Sequence, residues 1–377
     1  MKALRAVCML PLLATSAALA STFVVRPDGT GDYPTIQAAI DAATSGDTVL
    51  AVAGTYSGPG NRAIDPDGKE VVVRSEDGPD LTIIDCEHAG RALQFDDGEG
   101  PGAVVEGFTI RNGWYAPGGG AIRCAWPSTQ PTIRDCIFLN NVGGDGGAIA
   151  IVDHGAPSIE DCTFLENEGT EGGAIYIAGQ AATTIARCTF VDNWASGLDT
   201  GFGGAIRCLG GLPVVTECTF VGNRGLHGGA IAMFASTATF ESCTFVANES
   251  SYGGALHIQQ TEPWTTLTLG HSIIAFNDGV AVHAPPFQAY LDVACNDIHG
   301  NWCDWCGILA DLLGVNGNIS EDPRFCDLPG GDLTIDASSP CAPANSGGCS
   351  LIGALSVGCG PIAVESTTWG TIKAHYR

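Results

Sequence analysis

"DGGAIAIVDHGAPSIEDCTFLEN", residues 145–167, opens on Gly-Gly-Ala-Ile and closes on Cys-Thr-Phe-x-x-Asn. Both phrases return down the chain. Gly-Gly-Ala begins at Gly119, Gly146, Gly172, Gly203, Gly228 and Gly253, at spacings of 27, 26, 31, 25 and 25 residues. The second phrase follows in register from Cys136, Cys162, Cys188, Cys218 and Cys243, with weaker copies from Gly107, Ser272 and Asn296. A fixed period of this size marks a solenoid, in which each repeat buries its apolar face against the next.

Local pattern identifies the kind of solenoid. After each Gly-Gly-Ala, apolar and variable residues alternate, as in Ile149-Ala150-Ile151, Ile175-Tyr176-Ile177 and Ile206-Arg207-Cys208. Alternation with period two is a half-buried strand. Its first and third residues face inward, so Arg123, Tyr176, Arg207 and His257 face out. A second strand carries Ile133, Ile159, Ile185, Val215 and Phe240, and Cys-x-Phe forms a third. Three short strands per repeat predict an all-β, single-stranded parallel β-helix of about ten coils, stacked ~4.8 Å apart.

The repeated residues acquire physical roles in that frame. Glycine permits positive φ and close backbone approach at the corners. Asn141, Asn167, Asn193, Asn223 and Asn248 would stack in a ladder that satisfies turn backbone groups. Cys136, Cys162, Cys188, Cys218 and Cys243 would form an inward row. Parallel Cβ vectors ~4.8 Å apart suit an unstrained disulfide poorly, so a mostly reduced core ladder is expected. "DYPTIQAAIDAA", residues 32–43, has Ile36, Ala39, Ile40 and Ala43 at helical spacing, which predicts a short N-terminal capping helix. Residues 322–359 are expected to form an atypical final coil.

Composition narrows the setting. Lys2 and Arg5, the apolar run Ala6–Leu19 and the Ala18-Leu19-Ala20 site read as a secretory signal peptide over residues 1–20. The solenoid then spans 21–360, and 361–377 is a basic C-terminal tail that resembles a short sorting tag. No later apolar run approaches the ~20 residues of a membrane helix. The chain carries 41 acidic and 16 basic side chains, a formal charge of −25, which disfavours nucleic acid as a partner. Secretion or attachment to a bacterial cell surface is the expected location.

"DGTGDYPTIQAAIDAA" followed by "GDTVLAVAGTY" resembles the opening of pectin-lyase-like right-handed β-helix proteins. The paired GGAI and FxxN phrases resemble the repeats of the polymorphic outer membrane proteins of bacteria. The resemblance implies a right-handed solenoid and a surface or secreted location. It leaves activity open, because several functions are built on this fold.

Carbohydrate-cleaving relatives set paired acids on a sheet face or on successive coils, with Arg or Lys beside them in some. Here the outward row Arg123, Ala150, Tyr176, Arg207, Ala232 and His257 holds no acid. Asp153 and His154 are sequence neighbours on a turn, a position where side chains usually diverge. Aromatic residues offer more: Trp114, Tyr115, Trp126, Tyr176, Trp194, Phe202, Tyr252 and Trp264 fall at corners or outward positions. Rings with Arg and Asn donors hold sugars by stacking and hydrogen bonds, and rings that only cover corners are the plain alternative. The ligand-binding candidates are Trp114, Tyr115, Arg123, Trp126, Tyr176, Trp194, Arg207 and His257.

The acidic turns "DPDG" (65–68) and "DDGEG" (96–100) lack a full calcium-ligand spacing, so no cofactor is assigned and calcium is the one ion hinted at. "CDWC" (303–306) lacks a second pair for zinc and is expected as a disulfide, with further pairs among Cys326, Cys341, Cys349 and Cys359. The leading expectation is a non-enzymatic, adhesin-like solenoid that binds glycan or a partner protein along its exposed faces. The alternative is a polysaccharide lyase or glycoside hydrolase whose acids come from other rows.

Overall fold

A computed structural model describes residues 20–259, 265–284 and 289–359. The expected leader up to residue 19, Trp264 and the 361–377 tail lie outside the described residues. The chain is a parallel β-solenoid. Its coils contribute successive strands to an eleven-stranded, a ten-stranded and an eight-stranded sheet. Register is strict: Phe138 lies opposite Phe164, then Phe190, Phe220 and Phe245 follow. Their rings stack 4.7–4.8 Å apart and within 9° of parallel, at the spacing of the coils themselves. Each coil thus buries the same apolar set as its neighbour.

In most of the repeats two corners are turned by residues other than glycine, although Gly222 takes the place before Asn223. Asp135, Asp161, Arg187 and Glu217 precede the cysteines, and Asn140, Glu166 and Asp192 precede the asparagines, all at positive φ. That conformation costs non-glycine residues about 1 kcal/mol or more each, which the surrounding coil must offset. The Gly-Gly corner is different. Gly172 has φ +61°, whereas a Cβ on Gly173 would collide with the carbonyl oxygen of Gly204 on the next coil. One glycine is required by conformation and the other by close approach.

Asn141, Asn167, Asn193, Asn223, Asn248 and Asn277 form one buried row. Asn167 Nδ2 donates to Asn193 Oδ1 at 2.9 Å, and the Asn167 backbone N–H donates to the same oxygen at 3.1 Å. The five ladder cysteines are buried and unpaired. The Cys162 thiol lies 3.1 Å from the Glu160 carbonyl oxygen, and burial pushes the Cys243 thiol up to about 12. Cys303–Cys306 and Cys326–Cys359 are disulfides. Cys349 pairs instead with Cys295, and Cys341 stays reduced beside Asp297 Oδ2.

Helix Ile36–Ala42 covers the N-terminal end with Ile36, Ala39 and Ile40, and the Thr35 hydroxyl oxygen caps it by accepting from Ala38 N. At the other end Leu309 packs on the core with Trp305, Ile308 and Leu312. Two features depart from the sequence reading. A fourth, four-stranded sheet runs through Trp114–Tyr115, Val142–Asp145, Glu168–Glu171 and Trp194–Ala195, just before the Gly-Gly corner. Residues 323–359 are not a final coil. They form an antiparallel pair, Phe325–Asp327 with Asp332–Ile335, and fold back along the side of the ten-stranded sheet. The outward face there is apolar (Val221, Val246, Ile273, Ala275) and needs cover.

Candidate functional site

The Gly-Gly corner sets two residues five apart in sequence on either side of a groove. One is the residue just before the glycines: Asp145, Glu171, Phe202, His227 or Tyr252. The other is the outward residue of the following strand: Ala150, Tyr176, Arg207, Ala232 or His257. Backbone bonds carry the first row from coil to coil, with Gly146 N donating to Glu171 O and Gly172 N to Phe202 O, both at 2.9 Å. Strand register carries the second, Arg123–Ala150–Tyr176–Arg207.

Near its N-terminal end the groove opens into a cleft of about 540 Å³. Gln94, Arg123 and Ala150 line it from the sheet, and Arg91, Tyr115 and Asp145 from the corner side. The Arg91 guanidinium carbon sits 3.9 Å from the centroid of the Tyr115 ring, and its Nη2 donates to Gly118 O at 3.0 Å. Arg123 pairs with Asp96 at 3.1 Å. One coil on, Glu171 faces Arg207 at 3.2 Å, and Arg207 lies 4.3 Å over the Phe202 ring.

Burial raises the carboxyl pKa of Asp145 and of Glu171; for Glu171 the Arg207 charge opposes the shift and Asp145 adds to it. Tyr176 is pushed up to about 12, mainly by burial and further by those two acids. Beyond Arg207 the groove becomes imidazole-rich. His257 Nδ1 and His283 Nδ1 are 3.1 Å apart, so one carries the proton and the other accepts it. Burial, with His227, His283 and Arg207 adding, lowers His257 to about 3.

The expectation that Tyr176, Arg207 and His257 are exposed is corrected. They point out of the core yet are 8, 3 and 6% accessible. Around Arg207 and His257 the cover is the first row: Phe202 stacks on His227 at 4.5 Å, His227 on Tyr252 at 4.9 Å, and His227 lies 4.9 Å from His257. Tyr115 and Arg123 come together in the cleft. The tryptophans do not join them. Trp114 and Trp194 are exposed on the four-stranded sheet, where Val142 and Glu168 separate them, and Trp126 is exposed on a positive-φ turn. Trp194 lines a second hollow of about 230 Å³ with Leu198, Arg224 and Glu249. Asp153 and His154 are exposed turn residues, both at positive φ.

Sequence reasoning missed Asp145 and Glu171 because it followed only the strand after the glycines. The signal was present: both acids occupy the same position of the repeat, directly before Gly-Gly. Arg91 and Gln94 belong to a coil without the phrase and left no such mark. The two acidic turns do meet: Asp65, Asp97 and Glu99 each bring one carboxylate oxygen within 4.8 Å of the others and could hold a divalent cation. Gln94 Nε2 donates to Asp65, and Gly68 N and Asp97 N donate to Glu99, so hydrogen bonds already shape that cluster.

Fold and groove together define a class, the parallel β-solenoid with a polar groove along one side. The chain matches the right-handed β-helix region family over residues 68–207 and 120–298, more than half its length, and belongs to that family. It is similar in structure to the pectate lyase Pel9A, at 14% identity and a TM-score of 0.43, covering 90% of this chain and 97% of that one. A pectin methylesterase from carrot is similar at 15% identity and a TM-score of 0.39, covering 81% and 90%. A mannuronic acid specific family 6 polysaccharide lyase from human gut microbiota is similar at 13% identity and a TM-score of 0.36, covering 78% and 85%. No curated protein matches it in sequence. Among the described residues, no helix is long and apolar enough to cross a membrane.

Proposed function

We propose that this is a secreted or cell-surface β-helix protein that binds a glycan chain in the groove, with the Arg91–Tyr115–Arg123 cleft as its main subsite. One observation carries the reading: an open cleft where an aromatic ring, two guanidinium groups, an amide and two carboxylates, Asp96 and Asp145, converge. That mixture of a flat apolar face and fixed donors suits sugar rings. The signal-peptide-like start and the repeats resembling polymorphic outer membrane proteins support export and a surface role. Glycan-array binding, followed by calorimetry on the best ligand, tests it. Tyr115→Ala and Arg123→Ala should each weaken binding about tenfold, the equivalent of ~1.4 kcal/mol. Unchanged affinity in both would move the site elsewhere.

A second reading is favoured by one specific observation. Asp145 and Glu171 are opposite each other in register, both with raised carboxyl pKa, beside Tyr176 and Arg207. Neighbouring carboxyls of unequal environment are the raw material of acid–base cleavage of a glycan. Reducing ends or unsaturated product from any polysaccharide, abolished by Asp145→Asn, would establish this reading. Binding without product would leave the first.

A further inference from the structure

The Gly-Gly-Ala spacing from Gly172 to Gly203 is 31 residues where the others are 25–27, and the surplus forms a loop over residues 196–201. Backbone bonds pin that loop at both ends. Ser196 N donates to Gly169 O at 2.7 Å and Gly197 N to Thr170 O at 3.2 Å, while Gly201 O accepts from His227 N at 3.0 Å. The loop lines a hollow of about 230 Å³ together with Trp194, Arg224, Glu249 and Ser250. Leu198, in the loop, is 95% accessible, so its side chain is free to close on a ligand.

Trp194 directly follows Asn193 of the buried ladder, so it points out of the coil, and it is 46% accessible. Its row advances one coil at a time as Glu168–Trp194–Arg224–Glu249–Asp278. Steps of ~4.8 Å set a guanidinium and then a carboxylate beside the indole. Arg224 Nε and Glu249 Oε1 are 3.6 Å apart, beyond hydrogen-bonding distance, and both side chains are more than half exposed. Their remaining N–H groups and lone pairs are therefore open to a ligand. The vicinal hydroxyls of a sugar, which both donate and accept, match a donor and an acceptor placed side by side. Charge then selects among sugars. The row holds three acids and one cation, all within one coil step of the hollow's lining. That is inside the ~8–10 Å screening length, so an acidic sugar is repelled.

We propose that this hollow is a second sugar subsite, outside the groove, which holds one ring of a neutral glycan against the Trp194 indole with its hydroxyls on Arg224 and Glu249. The apolar face of a pyranose packs on the aromatic face, and the ion pair fixes its orientation. The volume is below the ~300–1,000 Å³ of sites that enclose a drug-sized ligand, which fits a single ring rather than a buried chain. Leu198 covers the ring from the loop side. The subsite stands on these residues alone and does not depend on the Arg91–Tyr115–Arg123 cleft.

Indole ¹⁵N labelling of the full chain tests this, since Trp194 is one of only seven tryptophans and its signal is identified by its loss in Trp194→Phe. Titration with cellohexaose, xylohexaose or chitohexaose should shift that signal for at least one of them, and leave those of the exposed Trp126 and Trp302 in place. Hexagalacturonate should move it less. Arg224→Ala with Glu249→Gln, exposed changes that leave the coils intact, should raise the dissociation constant read from the Trp194 signal about tenfold. Tyr115→Ala should leave that constant unchanged. No shift with any neutral hexamer, equal shifts at Trp126 and Trp302, or a stronger response to hexagalacturonate would overturn the proposal. So would loss of the Trp194 shift in Tyr115→Ala, which would make it a consequence of binding in the cleft. A Trp194 shift that survives while no ligand responds to Tyr115→Ala or Arg123→Ala would uphold this subsite and remove the cleft.

Discussion

Asn193 shows what one residue of the repeat does. Its Oδ1 accepts from Asn167 N and Nδ2, and its Nδ2 donates to Phe164 O and Asn223 Oδ1, all between 2.9 and 3.1 Å and all buried. Alanine would strand partners on three sides. Each buried unsatisfied group costs about 1–3 kcal/mol, so Asn193→Ala should destabilise the solenoid by roughly 3 kcal/mol or more in urea unfolding. A loss under about 1 kcal/mol would show that water replaces the amide readily. The Asn and Cys-x-Phe positions were legible in sequence because the repeat prints them once per coil. The non-glycine corners were not, since nothing in Asp161 or Glu166 alone announces a positive φ.

At the scale of the groove, burial has opposite consequences for its two kinds of titrating group. His257 is lowered to about 3 when folded, below its ordinary value near 6.5, so the unfolded chain takes up the proton first. Stability is therefore lost as pH falls from about 6.5 toward 3, by about 2 kcal/mol at pH 5 from this residue. His227 and His283 are also lowered and act in the same direction. Asp145 and Glu171, raised when folded, work the other way and gain stability on acidification. Urea midpoints at pH 7 and pH 5 should fall more steeply for the native chain than for His257→Gln. Equal slopes would mean that His257 is hydrated and near its ordinary pKa. The outward direction of this row was legible from period-two alternation, but its burial was not, because the covering rings, Phe202 over Arg207 and His227 against His257, come from the corner row before the glycines.

The whole molecule is a rod with one segment doubled back. Cys295–Cys349 and Cys326–Cys359 close separations of 54 and 33 residues and bind that segment to the coils and to itself. Loops of this size correspond to about 3–4 kcal/mol of chain entropy per bridge. Replacing Cys295 and Cys349 together by Ser should let the segment open before the coils. Limited proteolysis would then cut first within residues 323–359 and leave the repeats intact. Simultaneous loss of segment and coils would show that they unfold as one unit.

The sequence by itself determined the coil: its period, its inward rows of Ile, Cys and Phe, its Asn ladder and its N-terminal cap. Each of these recurs at fixed spacing or follows local helical periodicity, and hydrogen bonds between identical neighbours turn the spacing into structure. Only the tertiary structure decided that Asp145 and Glu171 face Tyr176 and Arg207, that Cys349 joins Cys295, and that residues 323–359 lie on a side face. Those relations depend on which surfaces lie opposite once the coils are stacked, and no period in the chain records that.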